Sequence, residues 1–235
     1  MFPYLSADDS FQFPDPREAE PPGIVASGGN LSPGMLVSAY RQGIFPWFSD
    51  EDPILWWSPD PRFVLYPEGL HVSKSMRRVL KRGVFTITFD TAFDRVITEC
   101  AARERPGQDG TWITRDMRDA YSVLHRLGIA HSAEAWQEGR LVGGLYGLSL
   151  GKIFFGESMF AHSPNASKAA FIGLVRTLSL QGVKLIDCQV YTHHLSSLGA
   201  EDIPRSRYLE ELSVLLDEPG LPSSWSSWSC TVGKY

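Results

Sequence analysis

HSAEAWQEGRLVGGLYGLSLGKIFFGESM, residues 131–159, decides the class of fold. Residues 131–136 and 140–148 read as two strands joined by a turn at Gln137-Glu138-Gly139, and Lys152–Met159 continues as a third. Such closely spaced strands predict an antiparallel meander. After Met159 the period changes: a helix capped by Asn165 or Ser167 is expected to reach Leu180 and end at Gly182, before the apolar strand Val183–Val190. A last helix is expected from Pro204 to Leu216. Upstream, Phe85–Phe89 alternates apolar and polar residues, Phe93, Val96, Ile97 and Cys100 fall three and four apart, and Thr114–Leu127 reads as a helix stopped at Gly128. This mixture predicts an α+β domain built round a mixed sheet over residues 63–235. Residues 1–62 differ, with turn signals at Pro21-Pro22-Gly23, Gly28-Gly29-Asn30 and Ser58-Pro59-Asp60-Pro61. One short helix, Pro33–Gln42, is expected there, capped by Ser32 and ended by Gly43. The reading is a small loop-rich N-terminal domain.

Composition removes several classes of function. A chain of 235 residues with 43% hydrophobic and 21% charged residues suits one main domain and a small satellite. No apolar run is long enough for a membrane span, and the opening MFPYLSADDS is acidic where a secretory signal would be basic and then apolar. A cytoplasmic monomer without a membrane partner is expected. Cys100, Cys188 and Cys230 are odd in number and never spaced as C-x-x-C, which argues against disulfides and structural zinc. His193 and His194 have no further ligand at metal spacing, and Gly143, Gly144, Gly147 and Gly151 lack the order of a dinucleotide loop. Neither metal nor cofactor is expected.

The net charge of −5 weighs against a polyanionic partner, but its distribution does not. Between Glu68 and Asp90 there is no acid, while Lys74, Arg77, Arg78, Lys81 and Arg82 fall close together. Helical spacing puts Lys74, Arg78, Lys81 and Arg82 on one stripe, with Met76, Val79 and Leu80 free to face inward. A solvated helix face would look the same.

Polar residues inside apolar strands carry the remaining signal, because a buried carboxylate is costly unless it is paired. Asp187 and Gln189, two apart in one strand, project from the same face, and Ile186 and Cys188 from the other. Glu157 interrupts the aromatic run FFGESMF. Each acid could equally serve as a structural partner for a buried cation.

GIFPWFSDEDPILWWSPDPR at 43–62, GTWIT at 110–114, FFGESMF at 154–160, NASKAA at 165–170, IDCQ at 186–189 and SLGAEDIPR at 197–205 together resemble the bacterial leucyl/phenylalanyl-tRNA–protein transferases. The resemblance runs from about Pro22 to Tyr208, in the family's order. It implies a small N-terminal domain and a C-terminal domain of acyltransferase (GNAT) fold. It also implies a reaction, transfer of leucine, phenylalanine or methionine from aminoacyl-tRNA to the α-amine of an N-terminal arginine or lysine, which marks the product for N-end rule degradation. Among site residues, it implies that Asp187 and Gln189 polarise and deprotonate the amine, with Gln189 in direct contact and Asp187 behind it. Glu157 would meet the acceptor's cation, Trp47 and Trp112 would hold the terminal adenosine, and Leu145 and Ile186 would line the aminoacyl pocket. The stripe Lys74, Arg78, Lys81 and Arg82 would bind tRNA.

An α-amine with a pKa of about 7.7 to 8.0 is partly neutral near neutrality, and an aminoacyl ester is a reactive donor. Alignment and removal of one proton therefore suffice, and the lack of a Ser-His-Asp or Cys-His set is expected. Two other readings compete. An acyl-CoA-dependent N-acyltransferase would need a phosphate loop where this chain has Ser163-Pro164-Asn165-Ala166-Ser167-Lys168. A noncatalytic tRNA or N-terminus adaptor would have no use for Asp187 with Gln189.

Overall fold

The computed structural model describes residues 2–102 and 113–230. Three short strands, β1 (Ile24–Ser27), β2 (Phe45–Pro46) and β3 (Leu55–Trp57), form a small antiparallel sheet in the order β1-β3-β2. Between its first two strands lies α1 (Pro33–Arg41). Gly43, at φ +75, turns the chain out of that helix where a Cβ would lie 2.5 Å from Leu209.

A seven-stranded sheet begins with β4 (Arg62–Leu65) and continues with β5 (Thr86–Phe89), after helix α2 (Lys74–Lys81). Helices α3 (Phe93–Ala101) and α4 (Arg115–Arg126) precede the meander β6 (Ala130–Gln137), β7 (Arg140–Leu150) and β8 (Ile153–Ala161). Then come α5 (Ala166–Leu180), β9 (Leu185–Gln189), the single turn α6 (His193–Ser196), β10 (Glu201–Ile203) and α7 (Arg205–Leu216). The spatial order is β10-β4-β9-β8-β7-β6-β5. Only β8 and β9 pair in parallel, so the sheet is mixed and the fold is α+β. Parallel neighbours need a crossover, and α5 supplies it.

Alternation along the strands sends side chains to two cores. Phe155, Leu185 and Val64 join Tyr40, Phe93, Tyr121 and Tyr208 in one cluster, which Trp56 and Phe45 of the small sheet also enter. Phe154, Ile186 and Leu65 join Met76, Leu80, Phe171 and Leu174 of α2 and α5 in the other. The small sheet thus shares a continuous core with one face of the large one.

The meander, the alternating strands and most helices fall within two or three residues of the sequence expectations, and Thr114 caps α4 through Met117 N at 3.2 Å. Two expected caps differ. Asn165 occupies the cap position of α5 in the left-handed region, φ +71, and its side chain accepts nothing from the helix; Ser167 lies inside it. Ser32 holds the cap position of α1 without a side-chain bond. The glycines of the meander answer to close packing. At Gly143 a Cβ would stand 2.6 Å from that of Ala166, and at Gly147, beside a bulge, 2.1 Å from Phe155 O. After α7 the chain runs back over β5 and β6 and buries Trp225 completely, stacked on His131 and Trp228. Among the described residues no helix is long and apolar enough to cross a membrane.

Candidate active site

The parallel pairing of β8 with β9 covers Ile153–Leu185, Phe154–Ile186 and Phe155–Asp187 and stops there. Beyond it, β8 stays paired to β7 as far as Ala161, while β9 stays paired to β4 through Gln189 and Phe63. The two strands therefore part, and the fork opens into a cavity of about 620 Å³. Gly156, Glu157, Cys188 and Gln189 line it from the strands, and Trp47 and Phe171 from outside the sheet.

Glu157 stands on the β8 arm, half-buried. Its Oε1 accepts from Tyr40 Oη at 2.7 Å and from Gln189 Nε2 at 2.7 Å, and its Oε2 accepts from Tyr121 Oη at 3.1 Å. The two tyrosine hydroxyls also lie in contact with each other. All three donors are neutral, and no ion pair reaches Glu157 among the described residues. Removal from water pushes its pKa up to about 7; the tyrosine and glutamine donors hold it down, and the charge of Asp187 adds a smaller upward push.

Asp187 has the opposite surroundings. It is fully buried, as is Arg62, whose Nε and Nη2 reach its two oxygens at 2.8 and 2.6 Å. Tyr208 Oη adds a bond of 2.8 Å, and Gln189 N donates to Oδ1 at 2.9 Å. Arg62 itself is sandwiched between the rings of Phe45 and Tyr208 and donates to Gly43 O. Asp187 does not line the cavity; Gln189, to which it is bonded, does. Gln189 has φ +64, a costly conformation for a residue with a side chain, and the bond to Asp187 helps to fix it. The turn that results, with Val190 N donating to Cys188 O at 2.8 Å, ends β9 as the Gln189 side chain crosses the fork to Glu157.

Leu145 and Ile186 also line the cavity, and Met159 faces Leu145 across the strand pair. Trp47 lines it from the loop after β2, its ring tilted 54° against that of Trp57 at 5.5 Å. Trp112 lies outside the described residues. Lys74, Arg78, Lys81 and Arg82 are all exposed, with Met76 and Leu80 buried behind them, and none of the four lines the cavity. Sequence reading missed Arg62, Tyr40, Tyr121 and Tyr208. The tyrosines sit on core-facing positions of α1, α4 and α7, where only the need of a buried hydroxyl for a partner marks them. Arg62 opens an otherwise apolar strand, RFVL, which is itself a signal.

Comparison with known proteins bears on the whole chain. The family profile described as Leucyl/phenylalanyl-tRNA protein transferase matches residues 64–213, and that of its N-terminal domain matches residues 29–60. The protein of Anaeromyxobacter sp. (strain K) named leucyl/phenylalanyl-tRNA–protein transferase is 58% identical over 91% of each chain. The Myxococcus xanthus protein of that name is 54% identical over 95% of this chain and 96% of its own. Among solved structures, a GCN5-related N-acetyltransferase from Kribbella flavida has a TM-score of 0.35 at 11% identity, covering 73% of this chain and 61% of that one.

The two acids should respond differently to neutralisation. Neutralising Asp187 would leave the buried Arg62 as an uncompensated charge. Asp187→Asn should cost about 3 to 5 kcal/mol in denaturant unfolding. Glu157 works the other way. Its pKa is raised on folding, so its charge opposes folding with an effect absent below about pH 4.5 and complete above about 7. Glu157→Gln should therefore leave stability at pH 8 unchanged or higher. Equal losses in the two variants would contradict this division.

Proposed function

The chain belongs to the leucyl/phenylalanyl-tRNA protein transferase family, and from that membership we propose that it moves leucine or phenylalanine, and methionine less readily, from tRNA to the α-amine of an N-terminal arginine or lysine. The enzyme is a transferase, and its substrates are an aminoacyl-tRNA and a protein. The observation that carries the finer reading is Glu157, an acid in the cavity whose hydrogen-bond partners are all neutral. A guanidinium or ammonium supplies the missing charge; an uncharged side chain does not.

In this reading the acceptor's first side chain pairs with Glu157, which brings its α-amine beside Gln189. Gln189 Nε2 is committed to Glu157, and its Oε1, which accepts no hydrogen bond among the described residues, takes one from the amine. Asp187 stands behind as the buried anion that fixes the Gln189 backbone and polarises it. The amine attacks the ester carbonyl, a C–N bond forms, the bond to the ribose oxygen breaks, and the proton lost by nitrogen is balanced by the one gained by the leaving hydroxyl. Positioning of this kind is worth roughly 7 to 11 kcal/mol of the barrier. Leu145 and Ile186 receive the donor side chain, Trp47 and Trp112 hold the terminal adenosine, and Lys74, Arg78, Lys81 and Arg82 bind tRNA phosphates. Stacking of one base on an indole contributes about 1 to 3 kcal/mol. The product would carry a new N-terminal residue read by the N-end rule pathway in the cytoplasm, with the enzyme acting as a monomer and without a cofactor.

The direct test incubates the protein with radiolabelled Phe-tRNA and peptides beginning with Arg, Lys or Ala. Label is expected on the first two; labelling of all three, or of none, would overturn the proposal. The pH dependence adds a second expectation. Protonation of Glu157 below about pH 7 removes the charge that meets the acceptor, whereas Glu157→Gln has none to lose. The ratio of wild-type to Glu157→Gln kcat/KM for an Arg-initiated peptide should therefore fall about tenfold per pH unit once well below 7. Titration of the peptide's own amine cancels in that ratio, and a flat ratio would remove Glu157 from the acceptor site.

A further inference from the structure

Tyr191 is 59% exposed, an unusual placement for a large aromatic side chain beside a cavity. Its neighbours Val190 and Thr192, and Leu195 of α6, line the cavity, which puts the tyrosine at its rim. The ring is not loose: it packs against the buried Phe63 with centroids 5.3 Å apart and the two planes 63° apart. The ring is anchored on one side, and more than half of the residue stays open to solvent.

From there the chain leads to the basic helix. Leu198 O accepts from His71 N at 2.9 Å, three residues before α2 begins at Lys74, and Gly199 approaches so closely that a Cβ would lie 2.3 Å from Gly69 O. Residues 190–200, VYTHHLSSLGA, contain no acid, and neither do residues 69–89. A polyanionic strand that runs from Lys74, Arg78, Lys81 and Arg82 to the cavity over this segment meets no acid within it, the exposed Glu68, Glu201 and Asp202 lying at its borders.

We propose that Tyr191 is a subsite for the donor tRNA, its ring stacking on the base of the nucleotide that precedes the terminal adenosine; this rests on the transferase reading above. An exposed aromatic ring held by one neighbour suits stacking, which tolerates any base because every base has a π-face. The acceptor is the less suitable occupant. Its anchor, Glu157, is held by Tyr40 and Tyr121 in one core, whereas Tyr191 rests on Phe63 in the core that α2 completes.

The experiment compares two donors, Phe-tRNA and phenylalanyl-adenosine, with one Arg-initiated peptide. Tyr191→Ala should lower kcat/KM for Phe-tRNA by roughly five- to 150-fold, the range of one lost stacking contact. The same variant should stay within twofold of wild type on phenylalanyl-adenosine, which lacks the preceding nucleotide. Tyr191→Trp should retain the preference for Phe-tRNA, and Tyr191→Ala should lower the melting temperature only slightly, by the loss of one aromatic pair. Equal losses on both donors, an unchanged Phe-tRNA rate, or a raised KM for the peptide alone would each overturn the subsite. Wild-type transfer from Phe-tRNA upholds the transferase reading whichever way the variants behave; its absence overturns both.

Discussion

Two carboxylates stand at the fork of the sheet, and Arg62 is paired to only one of them. A buried charge is tolerated when it is paired and hydrogen-bonded, and Asp187 meets both conditions through Arg62, Tyr208 and the Gln189 backbone. Glu157 meets only the second. Its tyrosine and glutamine donors stabilise the anion in part, but desolvation dominates and the acid becomes half-ionised near neutrality. A site in that state is complementary to a cation carried by something else. The same asymmetry separates their roles: Asp187 is sealed and shapes the chain, while Glu157 faces the cavity.

The fork exists because the sheet is mixed. β8 is drawn along β7 and β9 along β4, so the one parallel pair has only three residues of register before the arms separate. Separation exposes main chain at Gly156 and side chains at Cys188 and Gln189 to a common space. The positive φ of Gln189 then ends β9 and allows its amide to span the gap to Glu157. A strained residue, a buried ion pair and a polar crosslink are thus parts of one arrangement. It fixes the Gln189 side chain at the wall of the cavity.

How much of this could be read from sequence depends on how local each feature is. The helix bearing Phe93, Val96, Ile97 and Cys100, the Thr114 cap and the meander rest on neighbours within a few residues, and they were legible. Asn165 misled because a favoured capping residue can also adopt the left-handed conformation, which it does here. Trp225 gave no periodic signal; its burial depends on His131, nearly a hundred residues earlier. At the site, Glu157, Gln189, Leu145, Ile186 and Trp47 converge on one cavity, but alternation alone could not tell which acid is sealed. That depends on the pairing of β4 with β9, which brings Arg62 to Asp187 across 125 positions.

The most direct measurement is the titration of the Glu157 side chain itself, followed by ¹³C NMR of the labelled carboxyl with Glu157→Gln for assignment. In the free protein its pKa is expected at about 7. Saturating peptide beginning with arginine should lower it by one unit or more, since an opposite charge within about 4 to 6 Å favours the ionised form. A peptide beginning with alanine should leave it in place. A value that does not move with the arginine peptide would contradict the account, whatever the rate of transfer.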